Sequence, residues 1–254
     1  MEKQKIELSI IIPAFNEALN FKRGVLKTID PFLREQKYST EVIIVDDGST
    51  DNTFNLIKNF IKAKPNWRVI KIPHQGKPAA IIKGINESKG KFILFTDFDQ
   101  ATPLAEVKKL YLKIKQGYEI AIGSREAAGA KRQKEPLYRH LMGKGFNFIV
   151  QALVLRGIKD TQCGFKLFSK EAIKKILSRL AVYKNKKTSD AYTGAFDVET
   201  LFLAKKLNLK IIEIPVVWTH VKTTRVNPIK DSLRMFFDVV KIRIADILGK
   251  YHEG

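Results

Sequence analysis

Lys91-Phe92-Ile93-Leu94-Phe95-Thr96-Asp97-Phe98-Asp99 is the stretch whose reading decides the fold. Phe92 to Phe95 is a short apolar run after Gly90, and two carboxylates one residue apart follow it. That is the pattern of a buried strand running out into a loop. In an open α/β sheet, ligands collect in the crevice beyond the carboxyl ends of the strands. Two acids placed there can both reach a hard divalent cation, Mg²⁺ or Mn²⁺, that also holds a diphosphate. An isolated Asp-x-Asp is more often a solvated turn, so the rest of the chain has to decide.

Toward the N-terminus, Leu8 to Ile12 reads as a buried strand stopped by Pro13. Ala14-Phe15-Asn16-Glu17 turns into a helix predicted to run to about Gln36. Glu41 to Val45 is a second buried strand, ending in Asp46-Asp47-Gly48-Ser49-Thr50-Asp51. Gly48 supplies a turn there, and Ser49 or Thr50 can cap the next helix, Phe54 to Ala63. Trp67 to Ile72 is a third strand. Pro73 to Pro78 then leads into a helix to Glu87, with Pro78 in the first turn, where proline is tolerated.

Beyond the two acids come a helix from Pro103 to about Gln116 and a strand, Glu119 to Ile122. Strands alternating with helices through residue 123 predict a mainly parallel, doubly wound sheet. No Gly-x-Gly-x-x-Gly follows the first strand, which disfavours the usual dinucleotide fold. After Ser124-Arg125 the alternation stops. Glu126 to Pro136 reads as a mobile basic loop, Tyr138 to Leu155 as a helix, and a helix starts at Ser169. Lys184 to Ser189 is a second basic loop, Phe196 to Leu207 a helix, and Lys210 to Trp218 a strand whose Pro215 puts it at an edge or bulge. Last, Ile229, Leu233, Phe236, Phe237, Val240, Ile244, Ile247 and Leu248 form an amphipathic stripe on a helix from Pro228 to Leu248. Lys230, Arg234, Lys241 and Arg243 border the stripe. Such a helix either docks on the sheet or lies in a lipid interface.

The 254 residues suffice for one large α/β domain or two small ones, and a 44% hydrophobic content builds a substantial core. No apolar run reaches the length of a membrane span. Met1 to Glu7 is charged and leads directly into the first strand, which predicts no secretory leader. Cys163 is the single cysteine, so no intrachain disulfide can form, which fits a reducing compartment. The net charge of +20, from 46 Lys+Arg against 26 Asp+Glu, favours anionic partners such as nucleotides, lipid head groups or nucleic acid. A basic nucleic-acid module is disfavoured, because the chain lacks an aromatic-interleaved basic strand or a recognition-helix pattern. Nucleic acid is not an expected partner.

Pro13-Ala14-Phe15-Asn16-Glu17, Asp46 to Asp51, Lys77 and Asp97-Phe98-Asp99 all fall at one sheet edge. In order and spacing they resemble the inverting glycosyltransferases of family 2. The fold this implies is GT-A: α/β, a Rossmann-like mainly parallel sheet with helices on both faces, here with a C-terminal amphipathic helix. Asp160-Thr161-Gln162-Cys163-Gly164-Phe165-Lys166-Leu167-Phe168 resembles the polyprenyl-phosphate branch, closest to dolichyl-phosphate glucose synthases and then dolichyl-phosphate mannose synthases. Phe196-Asp197-Val198-Glu199 and Thr224-Arg225 also match that branch.

The resemblance implies a transferase domain over 1–227, with a nucleotide-sugar half to about 123, an acceptor half from 124, and a terminal helix over 228–254. It implies that Pro13, Ala14 and Glu17 frame the base and that Asp46 or Asp47 accepts hydrogen bonds from uracil or ribose. Asp97 and Asp99 would hold the metal, and Lys77 and Arg225 would neutralise phosphate. The donor would be UDP-glucose, with GDP-mannose as the alternative, and the acceptor polyprenyl or dolichyl phosphate. A phosphate oxygen is already mostly anionic at neutral pH, so no base is required. Cations to hold two phosphates are required, and Arg125 with Lys131 or Arg132 suits that need, with Gln162 also at the acceptor. Asp197 and Glu199 would orient acceptor groups; with a saccharide acceptor, one of them would instead be a true base. The expected location is peripheral, on the cytoplasmic face of a membrane.

Overall fold

Alternation within each strand gives the molecule two cores, one on each face of a single seven-stranded sheet. The computed structural model describes residues 5–184, 186, 188, 192, 194–221 and 228–251. The strands are β1 (Leu8–Ala14), β2 (Thr40–Asp47), β3 (Trp67–Ile72), β4 (Phe92–Phe95), β5 (Ile120–Ser124), β6 (Lys131–Gln133), β7 (Lys166–Ser169), β8 (Ile211–Pro215) and β9 (Val217–Thr219). The large sheet has the order β3-β2-β1-β4-β7-β5-β8. All its pairings are parallel except those of β7, which runs antiparallel between β4 and β5. The mainly parallel sheet expected from the alternation is therefore present. β7, which comes from the second half of the chain, is set into its middle.

The helices are α1 (Ala18–Lys22), α2 (Ile29–Arg34), α3 (Thr53–Ile61), α4 (Lys77–Glu87), α5 (Val107–Lys115), α6 (Leu137–Leu153), α7 (Lys170–Ser178), α8 (Phe196–Lys206) and α9 (Pro228–Ile247). Ile11, Ile43, Ile93, Phe95 and Ile122 point to one face and pack with residues of α4, α7, α8 and α9. Ile10, Ile12, Ile44, Leu94 and Ala121 point to the other face and pack with residues of α2, α3 and α5. Side chains on a strand alternate between faces, so one apolar run feeds both cores. α8 is buried at every position from Phe196 to Ala204, the polar Asp197, Glu199 and Thr200 included.

Four expectations need correction. The first helix does not run unbroken to Gln36, because Gly24 takes φ +81° and a 3₁₀ turn separates α1 from α2. The 126–136 stretch is not a featureless loop, since Lys131–Gln133 forms β6, paired in parallel with β9. Lys210 to Trp218 is two strands. β8 ends at Pro215 on the edge of the large sheet, and the chain then peels away as β9. The proline sits where no neighbour needs its missing N–H. Finally, α9 docks through Asp238, Val239, Ile242 and Ala245, whereas Leu233, Phe237, Ile244, Ile247 and Leu248 of the expected stripe stay exposed.

Candidate active site

The ends of β1 and β2 build one wall. Asn16 takes φ +52°, and its Oδ1 accepts hydrogen bonds from the N–H groups of Thr50 and Asp51 at 2.9 and 3.3 Å. The Pro13–Glu17 turn is thereby tied to the 48–51 turn. Glu17 is buried, and its Oε2 accepts from Asn20 Nδ2 at 2.6 Å. Asp46 is fully buried: Oδ1 accepts from the Ser49 N–H at 3.1 Å, while Oδ2 has no hydrogen-bond partner among the described residues. A buried carboxylate oxygen left open is costly unless a ligand donor completes it. Asp47 is differently placed. Its carboxylate accepts from the N–H groups of Gln75 and Gly76 at 2.9 and 2.8 Å and contacts His74 Nδ1 at 2.8 Å. Burial pushes its pKa up, against those hydrogen bonds and the neighbouring imidazole. It shapes the 73–76 loop, and His74 stacks on Phe15 at 4.1 Å.

At the end of β4, Phe98 turns into the core, which leaves Asp97 and Asp99 on the crevice side. Lys77, at the first turn of α4, reaches Asp97 Oδ1 with its Nζ at 2.5 Å. Burial opposes the Lys77 charge, but Asp97, Asp197 and Asp99 more than offset it and raise its pKa. Asp99 is pushed up to about 6, first by burial and then by the Asp97 charge beside it. Two carboxylates crowded in a partly dry crevice are the arrangement a divalent cation relieves. Asp97 and Asp99 therefore offer the oxygen donors that a hard divalent cation takes. Gly164 lies against this pair, and a Cβ at that position would collide with the Asp97 carboxylate.

The acceptor-side residues are brought to the same crevice with their charges engaged. Arg125 lies against Asp160, Nε to Oδ2 at 2.7 Å and Nη2 to Oδ1 at 2.8 Å, with its guanidinium 5.3 Å from the Trp218 ring. Burial works against both charges. Even so, the pairing raises the Arg125 pKa and holds Asp160 down at about 2. Arg132 lines the crevice and bonds to Glu126 and Glu135, whereas the exposed Lys131 points elsewhere. Gln162 lines the crevice, and its Nε2 is buried without a partner among the described residues. Asp197 is buried and does not line the crevice; its Oδ1 accepts from the fully buried Lys166 Nζ at 2.6 Å. Glu199 is not at the crevice. It accepts from the N–H groups of Ala181, Val182 and Tyr183 and from the Tyr251 hydroxyl, at 2.7 to 2.9 Å. Arg225 and Thr224 lie outside the described residues.

The crevice has a volume of about 680 Å³ and runs from Asp97, Asp99 and Lys77 to Phe146 and Phe148 of α6 and Met235 of α9. Its lining includes Trp218, Tyr192 and Lys144, which sequence reasoning did not single out. Tyr192 and Lys144 carry no periodic or motif signal. Trp218 had one, as the aromatic directly after the strand-breaking Pro215 segment.

A GT-A-type α/β sheet whose crevice joins paired acids to an apolar mouth defines a glycosyltransferase. The chain belongs to glycosyl transferase family 2, whose family profile matches residues 9–177. It is 38% identical over 258 residues to a dolichyl-phosphate beta-glucosyltransferase of Dictyostelium discoideum, covering 96% of this chain and 76% of that protein. It is 34% identical to the proteins of that name from Saccharomyces cerevisiae (100% and 79% covered) and Homo sapiens (96% and 77%). Among solved structures, it superposes on glucosyl-3-phosphoglycerate synthase from Mycobacterium tuberculosis, crystallised with Mn²⁺, UDP and glucosyl-3-phosphoglycerate, with a TM-score of 0.62 at 17% identity (98% and 81%). Mannosyl-3-phosphoglycerate synthase from Rubrobacter xylanophilus gives 0.63 at 16% identity (96% and 76%). At those identities the shared property is the fold.

Proposed function

We propose that this chain moves glucose from UDP-glucose to a polyprenyl phosphate of the dolichyl type, with inversion, at a membrane surface. The observation that carries the reading is the crevice itself. Paired carboxylates at one end suit a cation-bound diphosphate, and apolar walls from α6 and α9 at the other suit a lipid tail. The names of the relatives support the sugar and the acceptor. Asp97 and Asp99 would hold Mg²⁺ or Mn²⁺, which when bound supplies charge neutralisation for the departing nucleoside diphosphate. Asp46 Oδ2 accepts from the donor's base or ribose, and Lys77 meets phosphate charge as well as Asp97. Arg125, fixed by Asp160 and Trp218, presents a rigid guanidinium edge to the acceptor phosphate, with Gln162 donating beside it.

Asp197 is held by Lys166, and Glu199 is held by backbone amides, so both carboxylates that a saccharide acceptor would call on as base are already engaged. A phosphate acceptor needs no base. Its nucleophilic oxygen needs in-line placement and surrounding cations. No helix among the described residues is long and apolar enough to cross a membrane. The membrane contact we infer runs through exposed Leu137, Tyr138, Leu141 and Phe148 of α6 and the exposed stripe of α9. We assign it to the cytoplasmic face.

The test is a panel of UDP-glucose, GDP-mannose and other nucleotide sugars against a short polyprenyl phosphate, with and without EDTA. Turnover with UDP-glucose alone, abolished by EDTA and by Asp99→Asn, is expected. Preference for GDP-mannose would overturn the sugar, and full activity of Asp99→Asn would overturn the metal site.

A further inference from the structure

α9 carries a second recess that shares no lining residue with the catalytic crevice. It has a volume of about 520 Å³, with one wall made by the turn at 180–182 and the rest by Lys184, Lys186, Lys241 and Lys250. Four ammonium groups meet there. Glu199 stands behind the wall, accepting from the N–H groups of Ala181 and Val182 at 2.9 and 2.7 Å, and the carboxylate beside Lys186 and Lys241 is that of Asp238. That carboxylate is buried and already accepts from the Tyr183 and Tyr192 hydroxyls at 2.5 and 2.9 Å and from Lys186 Nζ at 2.5 Å. Lys241 approaches it only to 3.8 Å, and Lys184 and Lys250 form no ion pair among the described residues. Lys186 is held in place, with its Nζ 4.6 Å from the Tyr183 ring centre. The recess is thus a concave site with one fixed cation, Lys186, and two lysines, Lys184 and Lys250, that have no ion-pair partner among the described residues.

We propose that this recess binds the phosphate of an anionic phospholipid head group, a lipid site separate from the one that takes the acceptor. The inference rests on the membrane-docking reading of α9. Its position argues for lipid. Lys241 lies four residues after Phe237 and three before Ile244, so it shares their exposed helix face, and Lys250 follows exposed Leu248. A helix whose apolar residues sit at the acyl boundary puts flanking lysines at the depth of the head-group phosphates. A lysine cluster at that depth attracts anionic lipid. The apolar wall of Leu180 and Val182 suits the glycerol end of such a lipid. A solvated basic surface would show neither the concavity nor the alignment with the stripe.

The experiment is cosedimentation of the full chain with vesicles of phosphatidylcholine and with vesicles of equimolar phosphatidylcholine and phosphatidylglycerol. Lys184→Gln with Lys250→Gln, both exposed and without an ion pair among the described residues, should lower partition into the anionic vesicles about thirtyfold. Partition into the zwitterionic vesicles should stay unchanged, as should turnover of a short acceptor in detergent. The control is Lys58→Gln with Lys62→Gln, exposed at α3 on the opposite face of the sheet, which should lose less than about threefold. Equal losses in the two double variants would mean a long-range charge effect and would overturn the site, as would no loss in the first. Wild-type protein that bound neither vesicle would remove the membrane reading together with the site. Binding to both vesicles, with no effect of the Lys184 and Lys250 changes, would remove the site alone.

Discussion

Asp160 receives three hydrogen bonds from Arg125, one from the backbone N–H and two from the guanidinium. Its folded pKa, about 2, lies below the ordinary 3.8. The stability it contributes is therefore present above pH 3.8 and is lost as the pH falls through about 2. The amount is about 2 kcal/mol. Asp160→Asn should flatten that part of an acid-denaturation curve. At pH 7 it should also cost about 3 kcal/mol or more in urea titrations, because a buried guanidinium loses its counter-charge. Gly164 makes a second prediction. A methyl group there must displace the Asp97 carboxylate, so Gly164→Ala should lower turnover about 10²-fold. A near-native thermal melt would separate that misplacement from loss of fold. The sequence showed both residues inside one motif but not what they touch. An Asp–Arg pair separated by 35 residues has no local signature, and a glycine required by a side chain from another strand looks like any turn glycine.

At the scale of elements, apolar runs and turn residues made β1 to β5 and α3 to α5 legible, because burial on both sheet faces demands continuous hydrophobicity. Helix α9 was legible only as an amphipath. The periodicity picked out Leu233, Phe237, Ile244 and Ile247, whereas the docked face centres on Val239 and Ile242 and includes the acid Asp238. A buried carboxylate satisfied by two tyrosines and a lysine counts as polar in any pattern, so the docked face was hidden. Glu199 repeats the lesson: an acid in the first turn of α8 reads as a helix-start charge or as a base, yet it fastens the 181–183 turn and Tyr251 to that helix. Burial raises its pKa against the amides that hold it. Glu199→Gln should lower stability by about 2 kcal/mol, since an amide can no longer accept from every donor around it. The folded fraction should keep its turnover. A variant stable yet inactive would instead make Glu199 a base and favour a saccharide acceptor.

The molecule combines a strong positive charge with apolar side chains left exposed on α6 and α9. A net charge of +20 was visible in composition, but its meaning depended on where apolar surface remained uncovered. Leu137 and Phe148 of α6 are each 73% exposed, and Ile247 of α9 is 71% exposed, with the crevice opening between the two helices. Exposed apolar surface clustered in this way around a crevice marks an interaction site. The docked face of α9 and Tyr251 belong to the main core. Truncation before Pro228 therefore opens that core, and lost vesicle binding in such a variant would say nothing about lipid. Substitution on the exposed stripe avoids the difficulty. Phe237→Ser with Ile247→Ser removes two solvent-facing side chains, leaves Val239, Ile242 and Ala245 in place, and should hold the melting temperature within a few degrees of wild type. Vesicle partition should fall about tenfold or more for each side chain withdrawn from lipid. Turnover should fall on acceptor embedded in vesicles and persist on a short acceptor in detergent. Unchanged partition would place the membrane contact elsewhere, and α9 would then serve only as the strut that closes the core behind the crevice.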